Sequence, residues 1–207
     1  MINRPELKKQ AKASLQGNWG IAIAAIIIYG AITVALSYTG IGSLFVGVFT
    51  FGYAAFFMSL IRNRSAKIED LFCGFSEHFA DSFVAGILVG VFTFLWSLLF
   101  IIPGIVKAYS YSMTYYILKD NPGMSATEAI TESRKLMDGH KWELFVLHLS
   151  FIGWLLLCML TFGILLLYVE PYMMATDAAF YESIKPVPEI EAEPVAEEPA
   201  AEATDAE

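Results

Sequence analysis

The chain has 207 residues, 57% hydrophobic and 16% charged, with mean hydropathy +0.57 and formal net charge −8. Soluble domains carry roughly 25% charged residues, so the composition excludes an ordinary soluble globular protein and points to a membrane protein. The acidity is local: residues 186–207, PVPEIEAEPVAEEPAAEATDAE, hold 8 of the 21 acids and no Lys or Arg, which leaves 13 acids against 13 bases in the body.

In chain order, RPELKKQAKASLQGNW comes first. Leu7, Ala11 and Leu15 recur four apart, with Lys8, Lys9 and Lys12 on other faces. This predicts an amphipathic helix within residues 1–20, lying on an anionic leaflet. A spanning helix needs about 20 mostly apolar residues. The run from Ile21 to Ile61 is too long for one and breaks near YTGIGS, giving spans over about 21–38 and 43–61. The run from Phe83 breaks at Pro103-Gly104, because proline removes a helix donor and clashes with the preceding turn; spans over about 83–102 and 104–120 follow. The third pair covers about 142–160 and 163–181. The expected fold is all-α: a polytopic bundle of six spans in three hairpins over residues 21–182, with amphipathic cytoplasmic helices between the hairpins. Residues 183–207 are expected to be a disordered acidic cytoplasmic tail, too poor in apolar side chains to offset chain entropy.

The basic residues test this layout. Arg4, Lys8, Lys9, Lys12, Arg62, Arg64, Lys67, Lys119, Arg134, Lys135, Lys141 and Lys185 all fall between hairpins or at the ends, and the tips near Gly40, Pro103 and Phe162 carry none. By the positive-inside rule both termini are expected in the cytoplasm; five spans is the competing count. A cleaved leader is not expected, since about 20 residues precede the apolar run and the run continues into further spans.

The segments between hairpins look alike. SATEAITESRKLMDGHKW opens with a Ser125-x-x-Glu128 capping box and ends at Gly139, and KIEDLFCGFSEHF is a shorter version. SLQGNW, LFCGFS and LMDGHKW share an order of apolar residue, Gly and polar or aromatic residues, which places Gly17, Gly74 and Gly139 in equivalent positions of a threefold repeat. Gly42, Gly47 and Gly52 read as close-packing sites. Cys73 and Cys158 read as free thiols, and His78, His140 and His148 lack metal-ligand spacing.

The stretch IIPGIVKAYSYSMTYYILKDNPGMSATEAITESRKLMDGHKWELFVLHLSFIGW, together with RPELKKQAKASLQGNWG and YVEPYMMATDAAFYE, resembles the bacterial membrane-protein family called domain of unknown function 975, over nearly all of residues 1–185. It is similar, more distantly, to the membrane domain attached to some glycerophosphodiester phosphodiesterases. The resemblance implies a multi-pass protein of the bacterial cytoplasmic membrane. It supplies no catalytic residues, and the acidic tail is not part of the pattern.

Lys107, Glu170 and Asp177 are ionisable groups inside predicted spans, where a charge costs roughly 2.5–3.5 kcal/mol and such residues pair or face water. Lys107, at about 6 Å from the outer end of its span, and Glu170, at about 10 Å, lie at similar depth. Three readings of Lys107 stay open: an ammonium that snorkels to the outer interface, an ion pair with Glu170, and a substrate or ion site. No enzyme motif, cofactor motif or metal site is visible, and nucleic acid is disfavoured because the bases sit beside headgroups. The leading expectation is a membrane-embedded accessory or scaffold protein, not an enzyme. Its partners would be the lipid bilayer and a protein at the cytoplasmic face, met through Lys8, Lys9, Lys12, Arg134 and Lys135. The alternatives are a small-solute or ion transporter component using Lys107 and Glu170, and a membrane-embedded lipid-modifying protein.

Overall fold

A computed structural model describes residues 3–39, 41–76, 79–99 and 101–186. Of the expected disordered tail, 183–207, the part from residue 187 lies outside the described residues, as do the tip at Gly40 and His78, while Ser183 and Ile184 still belong to the last helix. The helices are α1 (Arg4–Leu15), α2 (Trp19–Tyr38), α3 (Val46–Asn63), α4 (Phe79–Leu99), α5 (Ile101–Tyr111), α6 (Thr114–Asp120), α7 (Ala126–Leu136), α8 (Lys141–Leu149), α9 (Ile152–Leu160) and α10 (Leu166–Ile184), with 3-10 turns at Ile41–Phe45 and Ile68–Phe75. No strand occurs among the described residues.

Among the described residues, four stretches are long and apolar enough to cross a membrane: Trp19–Tyr38, Val46–Asn63, Phe79–Leu98 and Lys141–Leu160. Six were expected, and the other two fail for identifiable reasons. The fourth expected span is cut into α5 and α6 at Ser112–Met113, where the Ser112 hydroxyl donates to the Tyr109 carbonyl at 2.9 Å. The sixth, α10, carries three carboxylates, Glu170, Asp177 and Glu182. The Pro-Gly pair also acts differently from expectation. α5 has already begun at Ile101, so Pro103 lies in its first turn, where a missing N–H costs nothing. Gly104 is the packing point of the α4–α5 hairpin: a Cβ there would lie 2.8 Å from Ser97 Cα.

α3 is the axis. Its Phe51, Phe56, Phe57, Met58 and Leu60 are buried, and α2, α4, α6 and α10 pack around it. Glycines let the elements close up, as expected. A Cβ on Gly47 would meet Gly86 Cα at 2.5 Å, and one on Gly52 would meet the Leu71 carbonyl carbon at 2.5 Å. The proposed repeat is only partly realised. Gly17 and Gly139 take left-handed φ of +81° and +83° and stop their helices. Gly74 instead lies buried against Val48, where a Cβ would be 2.5 Å from the carbonyl oxygen.

α1 corrects a second expectation. Leu7, Ala11 and Leu15 do form its apolar stripe, but α10 and α3 cover it rather than lipid. Small residues explain the fit, since Ala11 meets a helix whose Ala175, Ala178 and Ala179 are all fully buried. Lys9 and Lys12 stay exposed on the outer side.

Candidate functional site

Two polar sites stand out against this apolar body: an internal seam and a basic face. The seam joins α3, α5, α8 and α10. Tyr53 donates its hydroxyl to Glu170 Oε1 at 3.1 Å. Its ring stacks on Tyr29 at 4.3 Å, and the Tyr29 hydroxyl shares a 3.1 Å hydrogen bond with Thr50. Further along α10, Asp177 Oδ1 lies 2.7 Å from His148 Nε2, and His148 Nδ1 lies 3.2 Å from the Tyr109 hydroxyl. An ionised carboxylate only accepts, so Nε2–H donates to Asp177, and in the neutral ring Nδ1 accepts from Tyr109. Beside His148 and Asp177 is a cavity of about 120 Å³, lined also by Thr50, Ser112, Tyr115 and Tyr116.

At the far end of α3, Arg62 joins three helices. Its Nη2 lies 2.5 Å from Asp120 and its Nε 2.6 Å from Glu182. Lys185 adds contacts of 2.7 Å to Glu182 and 3.8 Å to Asp120, and Tyr181 donates to Asp120 at 3.0 Å. Each cation here bridges both carboxylates, so the cluster fastens α3, α6 and α10 rather than presenting free charge.

The basic face is built on α7. The capping box read from the sequence is formed: Ser125 N–H donates to Glu128 Oε2 at 2.9 Å and Glu128 N–H to Ser125 Oγ at 3.4 Å. The Ser125 N–H and the Ser125 hydroxyl, which donates to the same Oε2 at 2.8 Å, hold the exposed Glu128 carboxyl below its ordinary pKa of 4.5. α7 then folds back along α5, with the buried Ser133 hydroxyl donating to the Ser110 carbonyl at 2.9 Å. This brings Arg134 and Lys135 to Lys107, which shares a pocket with them, Asp138 and Lys141.

The structure therefore distributes the predicted site residues differently from expectation. Lys107 and Glu170 are not paired: Glu170 bonds Tyr53, while Lys107 Nζ sits 4.7 Å over the Trp96 ring. Lys107 also shares a pocket with the basic residues of α7, because that helix folds back along α5. Lys8 is held inward, 3.9 Å over the Phe151 ring and 3.4 Å from the Ser150 carbonyl, and burial lowers its pKa. His148, Tyr109 and Tyr53 were not among the predicted site residues. The available signal was a single His inside an apolar span, weighed only as a metal ligand. Arg62 and Lys185 were counted only as flanking charge.

Fold and sites define an all-helical protein with several helices apolar enough for a bilayer, polar groups paired inside, and a basic face. The chain belongs to the family described as Protein of unknown function (DUF975), whose model matches residues 1–110 and 101–187. No curated protein and no solved structure matches it.

Proposed function

We propose that the protein is a multi-pass scaffold or accessory protein of the bacterial cytoplasmic membrane, with both termini and α7 in the cytoplasm and no catalytic activity of its own. The observation that carries this reading is how the polar groups at depth are used: Glu170 bonds Tyr53 and Asp177 bonds His148, so both carboxylates are occupied by partners within the protein. In this reading the three hairpins cross and return, with α5 and α6 together forming one kinked crossing and α10 another. The outward surfaces of α1 and α7 meet lipid or a partner protein.

A second reading has its own support. Tyr109, His148 and Asp177 form a continuous hydrogen-bonded chain beside the cavity of about 120 Å³, the kind of arrangement that moves protons in transporters. Reconstituting the protein in vesicles with an internal pH dye separates the two. The scaffold reading expects proton leak equal to protein-free vesicles, and Asp177→Asn that alters thermal stability alone. A protein-dependent leak abolished by Asp177→Asn overturns it in favour of transport. A reporter fused after residue 185 tests the orientation, and activity on the exterior refutes it.

A further inference from the structure

Four cations converge on one pocket of about 380 Å³: Lys107 from α5, Arg134 and Lys135 from α7, and Lys141 from the start of α8, with the hydroxyl residues Ser110 and Thr131 and a single carboxylate, Asp138. The elements that carry them are fixed by the Ser133–Ser110 bond and the α7 capping box. Lys135 is engaged by Glu132 at 2.6 Å and Lys141 by Asp138 at 3.6 Å. Lys107 and Arg134 have no carboxylate partner among the described residues. The pocket therefore keeps two cations that repel one another without a counter-ion between them, and an anion there would relieve that repulsion. A guanidinium beside ammonium groups and hydroxyls matches the oxygens of a phosphate.

The surroundings choose the source of that phosphate. Ile105 and Val106, next to Lys107 on α5, are exposed and apolar, as is Ile102 one turn further along. The Trp142 indole, beside Lys141, is also exposed, at 69%, as indoles are at headgroup depth. Acyl chains would lie along α5 with the headgroup between α5 and α7. We propose that this pocket binds the phosphate of an anionic phospholipid. The inference rests on the membrane placement proposed above.

The test uses the full chain in nanodiscs of phosphatidylcholine with and without phosphatidylglycerol, with retained lipid read by native mass spectrometry. Phosphatidylglycerol should be retained over phosphatidylcholine, and Lys107→Met or Arg134→Gln should each weaken retention about tenfold, the size of one lost charge-assisted bond. Lys107→Arg should restore it, and Lys67→Gln, exposed in the segment between α3 and α4, should leave it unchanged. Arg134 is exposed, so its variant reports on binding even where Lys107→Met melts early. Equal retention of the two lipids, or undiminished retention by Arg134→Gln, overturns the proposal. So does displacement by free glycerol phosphate at the same concentration as the lipid, which makes the site one for a soluble anion. Failure of the membrane placement shows separately, as a chain that stays monodisperse without detergent or lipid.

Discussion

α3 and α9 are both apolar helices, yet they occupy opposite environments. In α3, 67% of the residues are buried. α9 ends in Met159 and Leu160, exposed at 79% and 76%, and leads into Phe162 at 98%. Hydropathy runs opposite to burial, the more apolar stretch being the more exposed one; what α3 has in addition is small residues at its points of closest approach. α3 carries Gly47, Gly52, Ala54 and Ala55, and its neighbour α10 carries Ala175, Ala178 and Ala179, so their backbones approach closely. α9 reads IGWLLLCML, a row of large side chains that holds other helices away. Among helices in lipid, close packing rather than oil solubility decides which faces meet protein. The exposed apolar surface of α9, α4 and α5 thus forms a shell around a core centred on α3 and α10, and it faces lipid in the placement proposed above.

Truncations sharpen that contrast most. Phe56→Ala empties a fully buried site against Phe57 and should cost about 4 kcal/mol, read as unfolding free energy in mixed micelles. Met159→Ala should change it by less than about 0.5 kcal/mol. A loss of similar size at Met159 would mean that α9 is covered by protein and would break the comparison. Glycines follow. Gly52→Ala drives a Cβ into the Leu71 backbone and should cost about 3 kcal/mol through overpacking. Gly90→Ala meets nothing within 4 Å and should be neutral or stabilising by up to about 1 kcal/mol, since alanine is the better helix former.

Charge fastens the same core at its end. Arg62→Met leaves the Asp120 and Glu182 carboxylates facing each other with Lys185 as their remaining cation. Breaking a buried pair costs 3–5 kcal/mol, but Arg62 is 32% exposed and solvent screens part of that, so a loss of about 2 kcal/mol is expected. Adding Asp120→Asn should recover part of it. A single variant as stable as wild type would show that α10 is held to α3 by packing alone.

Much of this was legible in the chain. Lengths of apolar runs located α2, α3, α4 and the α8–α9 rod. Helical spacing found the buried stripe of α1, and Ser125-x-x-Glu128 found the start of α7. What the pattern could not supply was the partner of each surface. The stripe Leu7, Ala11 and Leu15 looks the same whether lipid or α10 covers it. Depth counting put Lys107 near Glu170 because it treats spans as parallel rods. The actual neighbours follow from which helices touch, and from α7 folding back along α5 through Ser133. Asp177 and Glu170 were visible as anomalies in an apolar segment. Their partners, His148 and Tyr53, lie 29 and 117 residues away in sequence, and no local period reports that.

The smallest expected loss of an observed contact lies outside both regions of the comparison, at the start of α7. Ser125→Ala removes the side-chain cap and should cost about 1 kcal/mol. The pH dependence of that cap is more informative than its size. Glu128 has its pKa lowered in the folded chain by its bonds to Ser125. Its contribution is therefore fully present above the ordinary value of 4.5 and is lost as pH falls through the lower folded value. Amide exchange in the first turn of α7, corrected for intrinsic rates, should show protection that weakens on acidification in wild type and stays flat in Glu128→Gln. The buried phenylalanines of α3, with no titratable group, should keep their backbone protection over the same range. Loss of protection in both places together would mean that acid loosens the whole core rather than one helix end, and would tie α7 to the packed region instead of leaving it a separable layer on its surface.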